Sequence, residues 1–168
     1  MTTAIYPGSF DPITNGHLDI VKRASSIFEK VIIGVYDIPQ KSLLFSVEER
    51  VDMACQAVTE YNNVEVVSYS GITVEFARKA KAQVLVRGLR ASSDFEREFE
   101  MALMNKKLAS DIELVCFMAN LRYQFLSSSL LKEIIQLGGN LDDMMPAHVS
   151  AALKKKLLPG DIKTGYNL

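Results

Sequence analysis

Short apolar runs alternate with longer amphipathic stretches along the chain. Thr3 to Tyr6 reads as a strand ending at Pro7-Gly8, and the β-branched run Val31 to Tyr36 as a buried strand. Three more strands are predicted, over Val64 to Ser68, Gln83 to Val86 and Glu113 to Met118. Between them apolar residues recur at helical spacing: His17 to Phe28 puts Leu18, Val21, Ala24, Ile27 and Phe28 on one face. Ser46-Val47-Glu48-Glu49 has the form of a capping box and opens a helix to about Tyr61. Another helix is expected from Ile72 to Lys81. Ser93 and Glu96 suggest a second capping box, starting a helix to about Ala109. Ser128 to Leu137 is a helix stopped by Gly138-Gly139, and a last one runs from Pro146 to about Leu158, ahead of Pro159-Gly160.

The order β-α-β-α-β-α-β-α-β-α-α predicts an α/β fold, a five-stranded parallel sheet with helices on both faces and right-handed crossovers. The 168 residues suit a single domain, taken as residues 1–160, with 161–168 as a flexible C-terminal tail. Hydrophobic residues make up 48% and charged ones 23%, enough apolar material for a core and far from the balance of a disordered chain. A net charge of -1 gives no broad basic field for nucleic acid, so any anion site must be local. No window is long and apolar enough for a membrane span, and MTTAIYPGSF lacks a signal-peptide pattern; a cytoplasmic protein is expected. Cys55 and Cys116 sit among apolar residues and read as buried free thiols rather than a redox pair. Lys154-Lys155-Lys156 reads as a solvated helix end complementing the dipole. On the helix from Asp94, the residues Phe95, Phe99, Met101, Ala102, Leu103 and Met104 read first as ordinary core.

Ligands of parallel α/β sheets bind beyond the carboxyl ends of the strands. The loop after the first strand, Pro7 to His17, combines two prolines and two glycines with Ser9 and with His17 in the first turn of a helix, where backbone N–H groups favour an anion. It is neither a Walker loop nor a Gly-x-Gly-x-x-Gly turn. The second strand is followed by Lys41. The fourth is followed by Arg87-Gly88-Leu89-Arg90, which fits bidentate phosphate binding and surface salt bridges equally. The fifth is followed by Tyr123-Gln124-Phe125-Leu126-Ser127-Ser128-Ser129, where three serines exceed what one helix cap needs. Together these loops describe a polyphosphate site with no nucleophile elbow and no metal-ligand motif. The chemistry suggested is direct transfer between bound groups, promoted by orientation and charge stabilisation.

Gly8-Ser9-Phe10-Asp11-Pro12-Ile13-Thr14-Asn15-Gly16-His17 resembles the Thr-x-Gly-His signature of the nucleotidylyltransferase superfamily, and Leu126-Ser127-Ser128-Ser129-Leu130-Leu131-Lys132 resembles its second signature. Arg87 to Arg90, with Asp94-Phe95-Glu96 and Met104-Asn105, is similar to the bacterial phosphopantetheine adenylyltransferase family, the likeness running from about Ala4 to Leu158. Lys132 stands where the wider superfamily often has arginine.

The resemblance implies a Rossmann-like domain that transfers the adenylyl group of ATP to 4'-phosphopantetheine, giving dephospho-coenzyme A and pyrophosphate. It implies His17 as transition-state stabiliser, with Lys41 and Arg90 also catalytic; the converging phosphate charges are expected to be offset by His17 in its protonated form, Lys41 and the arginines. ATP would meet Ser9, Phe10, His17, Gly88, Leu89, Arg90, Glu98, Tyr123, Gln124, Phe125, Leu126, Ser127, Ser128 and Ser129. Phosphopantetheine would meet Ser9, Lys41, Thr73 and Arg87. Mg2+ would be held by phosphates and water, with no protein ligand, and the chain would assemble as a homohexamer. The rivals are transfer to nicotinate mononucleotide or glycerol phosphate, a non-catalytic nucleotide-binding module, and, more weakly, a nucleic-acid-binding domain.

Overall fold

In the computed structural model, residues 2–37, 43–90 and 92–158 are described, 92 and 93 by backbone alone. Five strands, β1 (Thr3–Gly8), β2 (Lys30–Tyr36), β3 (Val64–Tyr69), β4 (Val84–Leu89) and β5 (Glu113–Met118), form one parallel sheet in the order β3-β2-β1-β4-β5. The helices are α1 (Asn15–Ile27), α2 (Val47–Ala57), α3 (Thr73–Lys79), α4 (Ser92–Leu108), α5 (Ser128–Gln136) and α6 (Ala147–Leu157). Short 3-10 turns at Leu121–Tyr123 and Asp142–Met144 are additions to the expected order.

Alternation along the strands feeds two cores. Ala4, Tyr6, Val31, Ile33, Val35, Val84, Val86 and Phe117 pack with the inner faces of α1, α2, α5 and α6. Ile5, Ile32 and Leu85 point the other way, onto Val74 and Ala77 of α3 and onto Ala109 and Ile112. Leu131 and Ile135 of α5 are fully buried, each contributing about 1.5–3 kcal/mol, which anchors that helix with its N-terminus at the carboxyl edge of the sheet.

Winding reverses between β1 and β4, and there the ladder is thinnest. β1 pairs with β2 at six positions, but with β4 only at Ala4↔Val84 and Ile5↔Leu85. Beyond Ile5 the two strands part, which opens a crevice at the switch point of the sheet.

Several expectations change. β4 continues to Leu89, so Arg87, Gly88 and Leu89 lie on the strand rather than after it. β1 likewise runs on through Pro7-Gly8. α2 ends at Ala57, short of Tyr61. Ile27 is 66% exposed, because α1 ends there and Phe28, in extended conformation, takes the inward place. Both cysteines are exposed, not buried. Cys55 is on α2 beside, not within, the buried pair Met53 and Ala54. Cys116 lies on an edge strand whose outer end carries the equally exposed Met118. The apolar face of α4 is not core in the single chain: Phe95, Phe99, Met101, Leu103 and Met104 are all exposed. The Ser93 side chain, hence the second capping box, and the tail 161–168 lie outside the described residues. The lysine run is partly engaged, Lys154 with Asp142 and Lys156 with Glu49.

Candidate active site

A cleft of about 310 Å³ opens where β1 and β4 part. Its floor is the carboxyl ends of those strands, and the N-termini of α1 and α5 both reach it through Gly16, His17, Ser128 and Ser129. Two helix N-termini at one cleft bring unpaired N–H groups and two positive dipole ends together.

His17 is held by the cap of its own helix. Thr14 is the N-cap of α1 and His17 its third residue: the Thr14 N–H donates to His17 Nδ1 at 3.0 Å, and the His17 N–H donates to Thr14 Oγ1 at 3.4 Å. The histidine thus takes the place a glutamate has in an ordinary capping box. Because Nδ1 accepts a backbone N–H, this bonding assigns the ring proton to Nε2. In this tautomer the ring can donate from Nε2 to an oxyanion. The Phe10 ring meets it edge-on at 5.1 Å and also contacts Tyr6. Phe10 has a left-handed backbone, φ 47°, and is 2% exposed, so it supports His17 from beneath. Gly8 makes room: a Cβ there would come within 3.0 Å of the Phe10 ring. Burial pushes the Tyr6 phenol up to about 12, which makes it a neutral wall of the cleft.

The two arginines are pre-oriented by carboxylates. Arg87 donates through Nε (2.8 Å) and Nη2 to the two oxygens of Glu98, and through Nη1 to the Pro7 carbonyl at 2.9 Å, across the gap between β4 and β1. Burial opposes its charge, but the hydrogen bond and charge of Glu98 outweigh this and raise its pKa. Arg90 pairs with Asp94, Nε to Oδ2 at 3.0 Å, and donates to the Leu126 carbonyl at 3.0 Å, tying β4 to the segment before α5. Each arginine is in a salt bridge, and each lines the cleft.

The three serines divide their work. Ser127 is the N-cap, its hydroxyl accepting from the Leu130 N–H at 3.1 Å. The Ser128 hydroxyl donates to the Pro12 carbonyl at 2.8 Å, fastening α5 to the loop after β1. Ser129 is exposed and lines the cleft.

Ser9, Phe10, His17, Arg87, Gly88, Arg90, Glu98, Tyr123, Leu126 and the serines therefore meet in one cleft. Leu89, Gln124 and Phe125 do not line it: Leu89 is buried at the end of β4, and Phe125 is 59% exposed. Thr73 is also outside it, hydrogen-bonded to the Tyr69 hydroxyl at 3.0 Å beside the stacked Tyr69–Phe76 pair. Lys41 lies outside the described residues. Among those described, no three His, Cys, Asp or Glu side chains group to hold a metal ion.

The sequence reading missed a buried charge network beneath the cleft. Asp11, 2% exposed, accepts from the Leu44 and Phe45 N–H groups and from Lys132 Nζ. Arg50, also 2% exposed, donates to the carbonyls of Ser9, Tyr36 and Phe45 at 2.7, 2.8 and 3.2 Å. A signal was present. Arg50 falls inside the apolar stripe Val47, Val51, Ala54 of α2, where a charge is buried only with dedicated partners.

Residues 5–134 match the model of the cytidylyltransferase-like family. The phosphopantetheine adenylyltransferase of Heliobacterium modesticaldum is 52% identical over 156 residues, 93% of each chain. The protein of that name from a Roseiflexus species is 52% identical over 92% of this chain and 97% of its own. That of Clostridium botulinum strain Hall is 48% identical over 94% and 96%. With a cleft at the switch point and both signature loops lining it, the chain belongs to the cytidylyltransferase-like family and, within it, to the bacterial phosphopantetheine adenylyltransferases, a family of nucleotidyltransferase enzymes.

Proposed function

We propose that this enzyme transfers the adenylyl group of ATP to 4'-phosphopantetheine, reversibly, to give 3'-dephospho-coenzyme A and pyrophosphate. A phosphate oxygen of phosphopantetheine attacks the α-phosphorus of ATP. The new P–O bond forms as the bond from that phosphorus to the bridging oxygen breaks, and the pair of electrons leaves with pyrophosphate. No side chain forms a covalent intermediate.

The observation that carries this reading is the histidine held by its own helix cap. It presents a fixed donor between two helix N-termini, in a cleft lined by Arg87 and Arg90. Such a site rewards charge that develops on the α-phosphate oxygens in the transition state. The Ser129 hydroxyl and the first N–H groups of α5 suit the leaving phosphates. Ser9, Lys41 and Arg87 take the acceptor phosphate; Arg87 has five N–H groups and uses three on Glu98 and Pro7. Thr73 and the Tyr69–Phe76 stack suit the less charged pantetheine arm. Magnesium, when bound, neutralises phosphate charge. The cleft carboxylates Asp94 and Glu98 are both paired with arginines, so phosphate oxygens and water would supply its ligands. The enzyme works in the cytoplasm as a homohexamer in this reading. Among the described residues no helix is long and apolar enough to cross a membrane.

The test is pyrophosphate release from Mg-ATP with 4'-phosphopantetheine, run beside nicotinate mononucleotide and glycerol phosphate. Release with phosphopantetheine alone, and dephospho-coenzyme A seen by mass, is the expected result. Release with another acceptor would overturn the acceptor assignment. ATP binding without any release would make the chain a nucleotide-binding module.

A further inference from the structure

The cation with the least obvious purpose is Arg50. It is one of the largest fully buried side chains, and among the described residues it has no carboxylate within ion-pair distance. Its charge is met by backbone carbonyls instead. Burying an ionised group without a counter-ion is costly unless its hydrogen bonds are well made. Apart from Tyr36 and Asp37, whose carbonyl accepts at 3.5 Å, the carbonyls it meets are far apart in sequence. Ser9 follows β1 and lines the cleft, Tyr36 ends β2, and Phe45 precedes the cap of α2. One planar fork therefore joins the loop under the cleft to the points where the chain leaves β2 and enters α2.

The grip is doubled at Phe45. Its carbonyl accepts from Arg50 Nε, while its N–H donates to Asp11 at 2.9 Å. Asp11 in turn accepts from Lys132 on α5, the helix whose first turn carries Ser128 and Ser129. An anion and a cation, each 2% exposed, thus hold the N–H and the carbonyl of one residue and root it in the two signature loops.

We propose that Arg50 is a positioning residue for the acceptor phosphate. By clamping the carbonyls of Ser9, Tyr36 and Phe45 together, it fixes where Ser9 stands relative to Tyr36 at the end of β2 and Phe45 ahead of α2. This rests on the reading that Ser9 contacts the acceptor. Displacing a binding group by about 1 Å can cost ~100-fold, so a loosened clamp is visible in kinetics before it unfolds the chain. Lysine at this position would keep the charge but is a point donor that cannot span three carbonyls.

The experiment compares Arg50→Lys and Arg50→Met with the wild type in the full-length chain. Expected are a roughly 10–100-fold loss in kcat/KM for 4'-phosphopantetheine and a smaller rise, about two- to fivefold, in the KM for ATP, because Ser9 is the one proposed ATP contact that Arg50 touches. Amide exchange, measured without substrate, should quicken around residues 9–11 and 44–45 in both variants. If Arg50→Met does not fold, Arg50→Lys carries the same readouts. A folded Arg50→Lys with unchanged exchange, or with ATP and acceptor constants falling together, would overturn the clamp. A wild type inactive towards phosphopantetheine would overturn the acceptor reading instead, while exchange still reports on the carbonyl clamp itself.

Discussion

His17 is placed by a hydrogen bond that a capping helix needs in any case. The Thr14 N–H must find an acceptor, and His17 Nδ1 supplies it. With Nδ1 accepting from the main chain, the ring proton is assigned to Nε2. His17→Ala is expected to lower kcat by roughly 100–1,000-fold, the loss of one transition-state donor, while the dissociation constant of ATP changes by less than about threefold. Equilibrium binding of ATP and single-turnover rates, measured on the same preparation, check this. His17 was legible because it lies in a recognisable loop. Its tautomer was not, because a histidine in the third helical position is not the usual capping-box residue and pairs with Thr14 only once the helix forms. Arg87 and Arg90 were legible as cations; their carboxylate partners Glu98 and Asp94 lie on α4, and only the packing of α4 on β4 decides such pairings.

At the scale of elements, the start of α5 separates a capping and a tethering serine from an exposed one in the cleft. Ser127 completes the helix and Ser128 fastens it to Pro12. Ser127→Ala should cost about 1 kcal/mol in chemical denaturation, the value of a lost N-cap. Ser129→Ala should leave the denaturation midpoint unchanged and raise the KM for ATP severalfold. Equal effects on stability from both would contradict the division. The strands and helices themselves were readable from period and caps, as at Ser46–Glu49, where both capping hydrogen bonds form. Their ends were less so. Arg87-Gly88 looks like a turn in sequence, yet β5 pairs with β4 through Leu89 and carries the strand on. Arg50 and Asp11 went unread because most of their partners are main-chain groups remote in sequence, so that only the place of Arg50 in an apolar stripe hinted at them.

For the whole molecule, the exposed face of α4 is the largest departure from a chain that buries its apolar residues. Phe95 and Phe99 stack with their ring centroids 6.1 Å apart, and Met101, Leu103, Met104 and Leu108 remain exposed on the same helix. A pattern of spacing identifies an apolar face, but not whether the same chain or another copy covers it. Assembly into a hexamer would bury it. Light scattering at micromolar concentration should give six times the chain mass of 18.7 kDa, and Phe99→Asp should lower that mass while leaving the helical signal of each chain in place. A monomeric wild type would refute the assembly.

The sheet also has a seam. β3, β2 and β1 are laddered along their length, as are β4 and β5, but β1 and β4 meet through two residue pairs, the Gln83–Thr3 hydrogen bonds at their start and the Arg87–Pro7 hydrogen bond. The cleft is the open length of that seam. A ligand that touches both lips, Ser9 on one and Gly88 on the other, becomes a rung the polypeptide does not supply. Occupancy and the cohesion of the sheet are then one quantity, and filling the site completes the architecture that holds it.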